Sequence, residues 1–352
     1  LPRTVGGFTV NTCRNTWCTA FAQPPTLPLP GGPPATAHLR GKEAKRALRC
    51  KACWREFNIK SNASIIEEYM RLGHLYRGTK REYCPNVACV NHRVPRSLSP
   101  SSYAEHGKTP TGQQRYRCKS CRRTFSTAHP LAKHEETTET TLIFELLVNN
   151  VPFRRILEIT GISADRLYRR IEFLADQCRL FSAHRERRLH RAFAGRNRVV
   201  ATDVQTILVN WRHAERILNV PILHAVTSER SSGFIIAATT DYDEEVDPAD
   251  AEQEFIMSGD FMLPRAWREN ARTWTLREFE DSIFRGASRL LAPEEKKIKN
   301  YHDLPGNGSR IRSDIFQIAH LMHVKKLIGN DFRQLLICVD GDLGLAKIGS
   351  VL

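Results

Sequence analysis

Long hydrophobic runs are missing from this 352-residue sequence. It has no apolar stretch of about 18 residues and no apolar leader in residues 1–40, which argues against a membrane span and a secretory signal, so we expect a cytoplasmic protein. Acidic residues are scarce in residues 1–200, which hold 15 Asp+Glu against 35 Lys+Arg, whereas residues 201–352 hold 23 against 18. The first part therefore has the composition of a polyanion-binding protein, although a merely solvated basic surface is the alternative.

Cysteine is also nearly absent after residue 121, where only Cys178 and Cys338 occur. The other eight form four pairs, spaced C-x4-C then C-x2-C, twice over. The flanks repeat as well, because residues 49–57 resemble residues 117–125. A duplicated unit with two tetrahedral thiolate zinc sites is the economical interpretation. The predicted ligands are Cys13, Cys18, Cys50 and Cys53 for one zinc ion and Cys84, Cys89, Cys118 and Cys121 for the other.

A disulfide framework is the alternative, and it is disfavoured by the doublet spacing and by the lack of a secretory signal. Four histidines, His92, His106, His129 and His134, are near the second set, and we expect them to be exposed or DNA-contacting rather than ligands. Cys178 and Cys338 have no partner doublet and are predicted to be buried small hydrophobic residues.

Residues 106–125, HGKTPTGQQRYRCKSCRRTF, resemble the zinc-ribbon signature at the amino end of bacterial insertion-sequence transposases of the DDE type. A Gly-rich turn there precedes an aromatic-Arg-Cys-x-x-Cys-Arg-Arg strand. The resemblance covers these 20 residues closely and the first ribbon more loosely. It implies DNA binding by the arginines around the second doublet, which are Arg115, Arg117, Arg122 and Arg123.

Helical periodicity follows in residues 137–181. Two apolar faces precede Gly161, which suits a left-handed turn, and Ser163 is a good N-cap. The pattern predicts a helix-turn-helix whose third helix presents Arg166, Arg169 and Arg170 to the major groove. An ordinary helical hairpin is the alternative. The basic run 185–198, with Arg185, Arg187 and Arg188 at its start, is interpreted as a phosphate-tracking linker or as a solvated tether.

The pattern becomes β-rich from residue 199. Strands are predicted at 199–209, 221–227 and 234–239, followed by a helix at 314–328 and a buried strand at 334–339. This order resembles the first part of a ribonuclease-H-like fold. The resemblance makes the first and fourth strands neighbours and implies that Asp203 and Asp340 are catalytic carboxylates, with Asp342 as the competitor for the second position. We expect their carboxyl groups roughly 4–7 Å apart, holding Mg²⁺ or Mn²⁺ for phosphoryl transfer. Local capping by Asp203 and a turn at Asp340 are the alternative.

Two departures from that fold are expected. Residues 241–313 form a long insertion with an acidic start, interpreted as a solvated loop rather than a metal site. The family's third carboxylate, a Glu on a later helix, has no position before residue 352. Because the chain also begins with Leu1 rather than Met, a fragment with an incomplete active site is one interpretation.

The sequence thus predicts a multi-domain α+β protein. The leading hypothesis is a nucleoid-associated transposase that binds the double-stranded ends of its own element, with homo-oligomerisation on the DNA left open. A non-catalytic DNA-binding repressor or competitor is the rival, and a structure-specific nuclease is a third interpretation. The expected boundaries are zinc ribbon 1 at 1–60, a helical connector at 61–79, zinc ribbon 2 at 80–130, the helix-turn-helix at 131–182, the basic linker at 183–198, and a partial ribonuclease-H-like α/β domain at 199–352, truncated after its fourth strand.

Overall fold

The computed structural model describes most of the chain and divides it into two compact units. One contains Leu1–Gly73 and Arg188–Leu352, and the other contains His74–Arg187. The stretch that was expected to be a separate first ribbon therefore belongs to the same unit as the β-rich part. The described residues are 1–41, 46–75, 83–86, 88–92, 94, 96, 99–110, 114–126, 138–186, 188–213, 216–282 and 304–339.

Each cysteine set is attached to a small antiparallel sheet. The first cysteine module (residues 1–60) has the strand order β1-β2-β3, and the second (residues 83–126) has the order β4-β5-β6. Their registers correspond, because Leu48 pairs with Phe57 in the first sheet and Tyr116 pairs with Phe125 in the second. The duplication expected from the sequence is thus reproduced in the strand pairing. The strands are β1 Ala37–Arg40, β2 Ala47–Cys50, β3 Glu56–Asn58, β4 Tyr103–Lys108, β5 Gln114–Cys118 and β6 Thr124–Ser126.

Helix α1 (Asn62–Leu75) follows the first module, and three helices follow the second: α2 (Thr138–Val148), α3 (Phe153–Thr160) and α4 (Ala164–Glu186). Ile143, Ile156 and Leu167, one from each of the three helices, form a buried apolar cluster. The turn between α3 and α4 has the predicted chemistry. Gly161 adopts φ 67°, a left-handed conformation that glycine takes without steric cost, and the Ser163 hydroxyl accepts a hydrogen bond from the Arg166 N–H at 3.3 Å.

The stretch expected to be a basic linker contains regular structure. Helix α4 extends to Glu186, and α5 (Leu189–Phe193) follows with Leu189 and Phe193 buried. Gly195 donates its N–H to the Asp331 carbonyl at 2.6 Å, which ties this stretch to the sheet unit. Burial of two apolar side chains explains why this arginine-rich segment is folded rather than extended.

A four-stranded mixed sheet is the centre of the first unit. Its order is β12-β7-β8-β9, with β12 (Gln334–Val339) parallel to β7 and the other pairs antiparallel. The first and fourth strands of the predicted series are therefore neighbours, as expected. The remaining strands are β7 (Asn197–His213), β8 (Arg216–Glu229) and β9 (Ile235–Thr240).

One face of this sheet is covered by α8 (Ser313–Ile328), which packs on β8 and β9. The core beneath it combines Ala225 of β8 with Ile311 and Phe316 and, from the other end of the chain, Val10 and Ile65. The first cysteine module and α1 thus complete the hydrophobic core of the sheet unit. Alternation along β7 places Thr202 and Val204 on the covered face and Asp203 and Gln205 on the opposite face.

The described residues of the insertion 241–313 include regular structure, and the expectation of a solvated acidic loop was wrong for Asp241 and Asp243. Asp241 is buried, accepts the Leu223 N–H at 2.7 Å and pairs with Arg310 at 2.8 Å. Asp243 is also buried, in an ion pair with Arg272 at 2.8 Å. Burial of these carboxylates is tolerated because each has a guanidinium partner. The elements here are β10 Tyr242–Asp243, α6 Pro248–Met257, α7 at residues 276–282, and β11 Ser309–Arg310, which pairs with β10.

Candidate metal centres and nucleic-acid interface

The four cysteines of the first module converge. Cys13 and Cys18 come from the amino-terminal loop, whereas Cys50 ends β2 and Cys53 lies in the turn after it. The Cys13 and Cys53 Sγ atoms are 3.6 Å apart, those of Cys18 and Cys50 are 3.8 Å apart, and all four atoms lie within 4.8 Å of one another. A tetrahedral zinc ion with Zn–S bonds of about 2.3 Å requires S···S distances of about 3.8 Å. The cluster fits a zinc ion.

The second module repeats this arrangement with Cys84, Cys89, Cys118 and Cys121. The Cys84–Cys121 and Cys89–Cys118 Sγ distances are 3.3 and 3.7 Å. These separations are far longer than a disulfide bond of about 2.05 Å, and all eight thiols are free. The two four-cysteine groups can therefore hold two structural zinc ions, and the prediction of both ligand sets is confirmed to that extent.

The thiols in each cluster do not ionise alike. Burial raises the pKa of the Cys84 thiol to about 12. Burial also opposes ionisation of Cys118, but hydrogen bonds from the Cys121 N–H, the Asn91 amide and the Ser120 N–H lower its pKa to about 6. In the first module burial raises the pKa of Cys13 well above its usual range, whereas the pKa of Cys53 is lowered to about 7. A bound dication would stabilise all four thiolates of such a set.

Two polar side chains support the second cluster in a way that the sequence did not predict. The Asn91 amide donates to the Cys118 Sγ at 3.4 Å and to the Ser120 hydroxyl at 2.8 Å. His92, expected to be exposed or to contact DNA, is half-buried, and its Nδ1 lies 2.8 Å from the Cys84 carbonyl. Both therefore brace the cysteine loop. His129 and His134 lie outside the described residues.

The isolated cysteines are a correction. Cys178 on α4 and Cys338 on β12 were predicted to be buried, yet both are exposed. Cys338 occupies the alternate position of β12 that faces the same side as Ala201, its partner in β7. The apolar strand in which it lies has one face that no described helix covers, so an apolar run did not imply burial on both sides.

The basic residues of the second module are mostly on its surface. Arg117, Arg122 and Arg123 are exposed, whereas Arg115 is half-buried and donates to the Thr124 hydroxyl at 3.3 Å. Arg122 follows the second cysteine of the C-x2-C turn with φ 62°. Three of the four predicted arginines are thus available to a polyanion.

The predicted recognition helix presents its arginines unevenly. Arg166 and Arg170 both pair with Glu139 of α2, at 2.9 and 3.4 Å, and the Arg170 side chain is largely buried. Arg169 is exposed and pairs with Asp165. Glu139 therefore positions two of the three arginines at the amino end of α4. The expectation that all three are exposed was wrong for Arg170.

The other predicted DNA contacts are at the end of α4 and beyond it. Arg185 is exposed and its guanidinium lies 5.1 Å from the Phe181 ring centroid. Arg188 is exposed at the start of α5. Arg187 lies outside the described residues.

Asp203 is exposed on the uncovered face of the sheet. The Gln205 Nε2 donates to its carboxylate at 3.0 Å, and His224 pairs in register with Gln205. Together with Ser228 and Cys338 these residues line one open concavity. The other predicted carboxylate, Asp340, and its competitor Asp342 lie outside the described residues. Val339, directly before Asp340 in the sequence, pairs with Thr202, directly before Asp203.

A buried polar chain lies beneath Asp203, on the covered side of the sheet. The Thr202 and Thr227 hydroxyls are 2.8 Å apart, and the His320 ring of α8 hydrogen-bonds Thr227 at 2.8 Å and Thr239 at 2.7 Å. Burial lowers the pKa of His320 to about 3, so the ring is neutral at physiological pH. The chain fixes β7, β8, β9 and α8 to one another directly below the Asp203 position.

Comparisons with known proteins give no family, since no protein-family model, no curated protein and no solved structure matches the chain. None of the helices in the described ranges is both long and apolar enough to cross a membrane.

Proposed function

We propose that this chain is a transposase, or part of one, that binds double-stranded DNA at the ends of a mobile element and catalyses metal-dependent strand cleavage and transfer. Support comes from three features that occur in one chain. The basic residues 1–200 contain two four-cysteine modules and three helices, two of them joined by the turn of a helix-turn-helix. The mixed sheet lies almost entirely in the residues that follow. We assign the sheet to the ribonuclease-H-like class.

The observation that carries the catalytic part is the strand register around Asp203. Three antiparallel strands are followed by α8 and by a strand parallel to the first, and the residues before Asp203 and Asp340 pair. Carboxylates that follow paired residues of adjacent parallel strands are well placed to share a cation. Asp203 is also exposed, so a cation from solvent can reach its carboxylate.

Among the described residues, those around Asp203 fit a hard divalent cation. Asp203 offers a carboxylate oxygen in an open concavity, and Gln205 holds it by one hydrogen bond, which leaves its second oxygen available. Mg²⁺ or Mn²⁺ at this position would supply activation of a water or 3′-hydroxyl and stabilisation of the leaving oxygen. The protein's own contribution is a rigid strand, braced by the Thr202–Thr227–His320 chain.

The DNA-binding part rests on exposed arginines of the second module and of α4. Phosphate contacts by Arg117, Arg122 and Arg123 would position the duplex without reading its sequence. Arg166 pairs with Glu139 at the start of α4. Its side chain would contact base edges from the amino end of the recognition helix. The partner that fits this surface is duplex DNA.

Mn²⁺ binding measured by electron paramagnetic resonance tests the catalytic assignment. We expect the zinc-loaded chain to bind Mn²⁺ and Asp203→Asn to weaken that binding at least tenfold, while Asp331→Asn, an exposed carboxylate of the same unit, leaves it unchanged. Duplex affinity should be equal in all three proteins. Equal Mn²⁺ binding by Asp203→Asn would remove the catalytic assignment and leave a non-catalytic DNA-binding repressor or competitor. Absence of duplex binding by the wild type would remove both.

A further inference from the structure

Two tryptophans are exposed beside the first cysteine cluster. Trp17 directly precedes Cys18 and is 93% exposed, and Trp54 directly follows Cys53 and is 59% exposed. The four Sγ atoms lie within 4.8 Å of one another, so both indoles flank one compact centre. Tryptophan has the largest apolar side chain, and exposure of two such rings on one small module is unfavourable unless a partner covers them.

The duplicated module provides an internal comparison. The Trp54 N–H bonds to the Cys50 carbonyl and the Arg122 N–H bonds to the Cys118 carbonyl, both at 2.9 Å, so these positions are equivalent. Likewise the N–H of Cys18 bonds to the Asn15 carbonyl, and that of Cys89 to the Asn86 carbonyl. Ala88 therefore corresponds to Trp17. The second module forms the same turns without an aromatic residue at either position, so the zinc fold does not require the tryptophans.

Trp54 is also held in an unfavourable backbone conformation. Its φ is 58°, in the left-handed region that is unfavourable for a bulky residue. The turn imposes this angle, because Arg122 has φ 62° in the second module. A tryptophan at a position that favours glycine is retained against a backbone penalty, which points to a use for its ring.

The surroundings of these rings favour a nucleic acid over an apolar protein partner. Residues 1–60 contain ten Lys+Arg and two Asp+Glu. The Arg49 guanidinium lies 5.1 Å from the Trp54 ring centroid and 3.8 Å from Glu56, so a cation is already positioned beside the exposed ring. Exposed aromatic rings among basic residues are the combination by which proteins bind unpaired bases, since the rings stack on bases while cations follow the phosphates.

We propose that the first cysteine module binds single-stranded DNA, with unpaired bases stacked on Trp17 and Trp54. This rests on the proposed DNA-processing function and deepens it, because cleavage and transfer at element ends expose unpaired nucleotides. The two modules then differ in ligand. The second, with Arg122 in place of Trp54 and Ala88 in place of Trp17, contacts duplex phosphates.

Fluorescence anisotropy on the zinc-loaded full chain tests this assignment, using a labelled 12-nucleotide single strand and, separately, a labelled duplex. We expect Trp17→Ala/Trp54→Ala to bind the single strand at least about 30-fold more weakly, given the usual contribution of two base–aromatic stacks. The slope of log affinity against log salt concentration should not change, because no charge is removed. Trp17→Tyr/Trp54→Tyr should restore most of the affinity.

Two controls keep the result specific. Leu29→Ala removes another exposed apolar side chain of the same module, 68% exposed, and should have no effect. Elemental analysis should give the same zinc content for every variant. Unchanged single-strand affinity in the alanine variant overturns the proposal, and so does a loss of self-association in light scattering without a loss of single-strand affinity. If either result is obtained while duplex binding is intact, the proposed function is unaffected. A wild-type protein that binds neither the single strand nor the duplex would contradict the proposed function itself.

Discussion

Loss of the first zinc site should destabilise the sheet unit, and loss of the second should not. Cys50→Ser and Cys118→Ser are matched perturbations, because the two cysteines occupy equivalent positions at the ends of β2 and β5. The first module places Val10 in the core of the sheet unit. The backbone N–H of Val10 also bonds to the Asn62 side chain at 3.1 Å.

The size of the effect follows from those contacts. Burial of a valine contributes about 1.5–3 kcal/mol to the free energy of unfolding. Three hydrogen bonds add about 1 kcal/mol each. One joins the Val10 N–H to Asn62, and the other two join Asn11 and Lys60, at 2.9 and 2.8 Å. We therefore expect Cys50→Ser to lower the stability of the sheet unit by about 4–6 kcal/mol.

Urea denaturation followed by tryptophan fluorescence measures this directly, because all five tryptophans lie in the unit formed by residues 1–73 and 188–352. With a urea slope of about 2–3 kcal/mol per molar, the midpoint should fall by about 2 M in Cys50→Ser. It should stay constant in Cys118→Ser, whose own loss should appear as one zinc ion fewer by elemental analysis. Equal midpoints in the two variants, or a shift only in Cys118→Ser, would refute this reasoning.

Three further outcomes are expected. Arg166→Ala/Arg169→Ala should reduce discrimination between specific and random duplexes in competition binding, whereas Arg117→Ala/Arg123→Ala should weaken binding to both and flatten its salt dependence; equal effects of the two pairs would contradict this division. Stability should fall as the pH drops below about 6.5, because unfolded histidine takes up a proton there and His320, with its pKa lowered to about 3, does not. In His320→Gln, the free energy of unfolding between pH 5 and 6.5 should depend less steeply on pH, by up to about 1.4 kcal/mol per pH unit. An unchanged slope would count against a neutral buried ring. Arg310→Met should destabilise the sheet unit by about 3–5 kcal/mol in thermal or urea unfolding, because it leaves Asp241 buried without its cation; a loss below about 1 kcal/mol would show that the pair is dispensable.

Local chemistry made much of this architecture predictable. The cysteine doublets have spacings that only a few turns satisfy, so both ligand sets followed from the sequence. Gly161 and Ser163 encode a left-handed turn and an N-cap, and they defined the boundary between α3 and α4. The β-rich composition of residues 199–209 also predicted β7, which extends beyond them at both ends, from Asn197 to His213.

Long-range pairing explains what the sequence did not reveal. Asp241 and Asp243 were predicted to be solvated because their partners are distant in the sequence. Arg310 is 69 residues from Asp241, and Arg272 is 29 residues from Asp243. Val10 was assigned to a separate ribbon, although its contacts are with a core assembled from residues 65 to 321. Cys338 was predicted to be buried because it has no partner doublet, yet it is exposed on β12. Glu139, which restrains two arginines of α4, sits on a different helix and gave no local signal.

DNA strand cleavage by the protein is the measurement that tests the central claim most directly. The substrate is an end-labelled duplex containing the DNA that borders the gene, incubated with Mg²⁺ or Mn²⁺. We predict nicked or joined products with the wild-type protein and none with Asp203→Asn, while the duplex affinity of the two proteins agrees within about twofold, since the exposed carboxylate is not part of the basic surface. Products formed equally well by Asp203→Asn would contradict the proposal that this residue is a catalytic metal ligand.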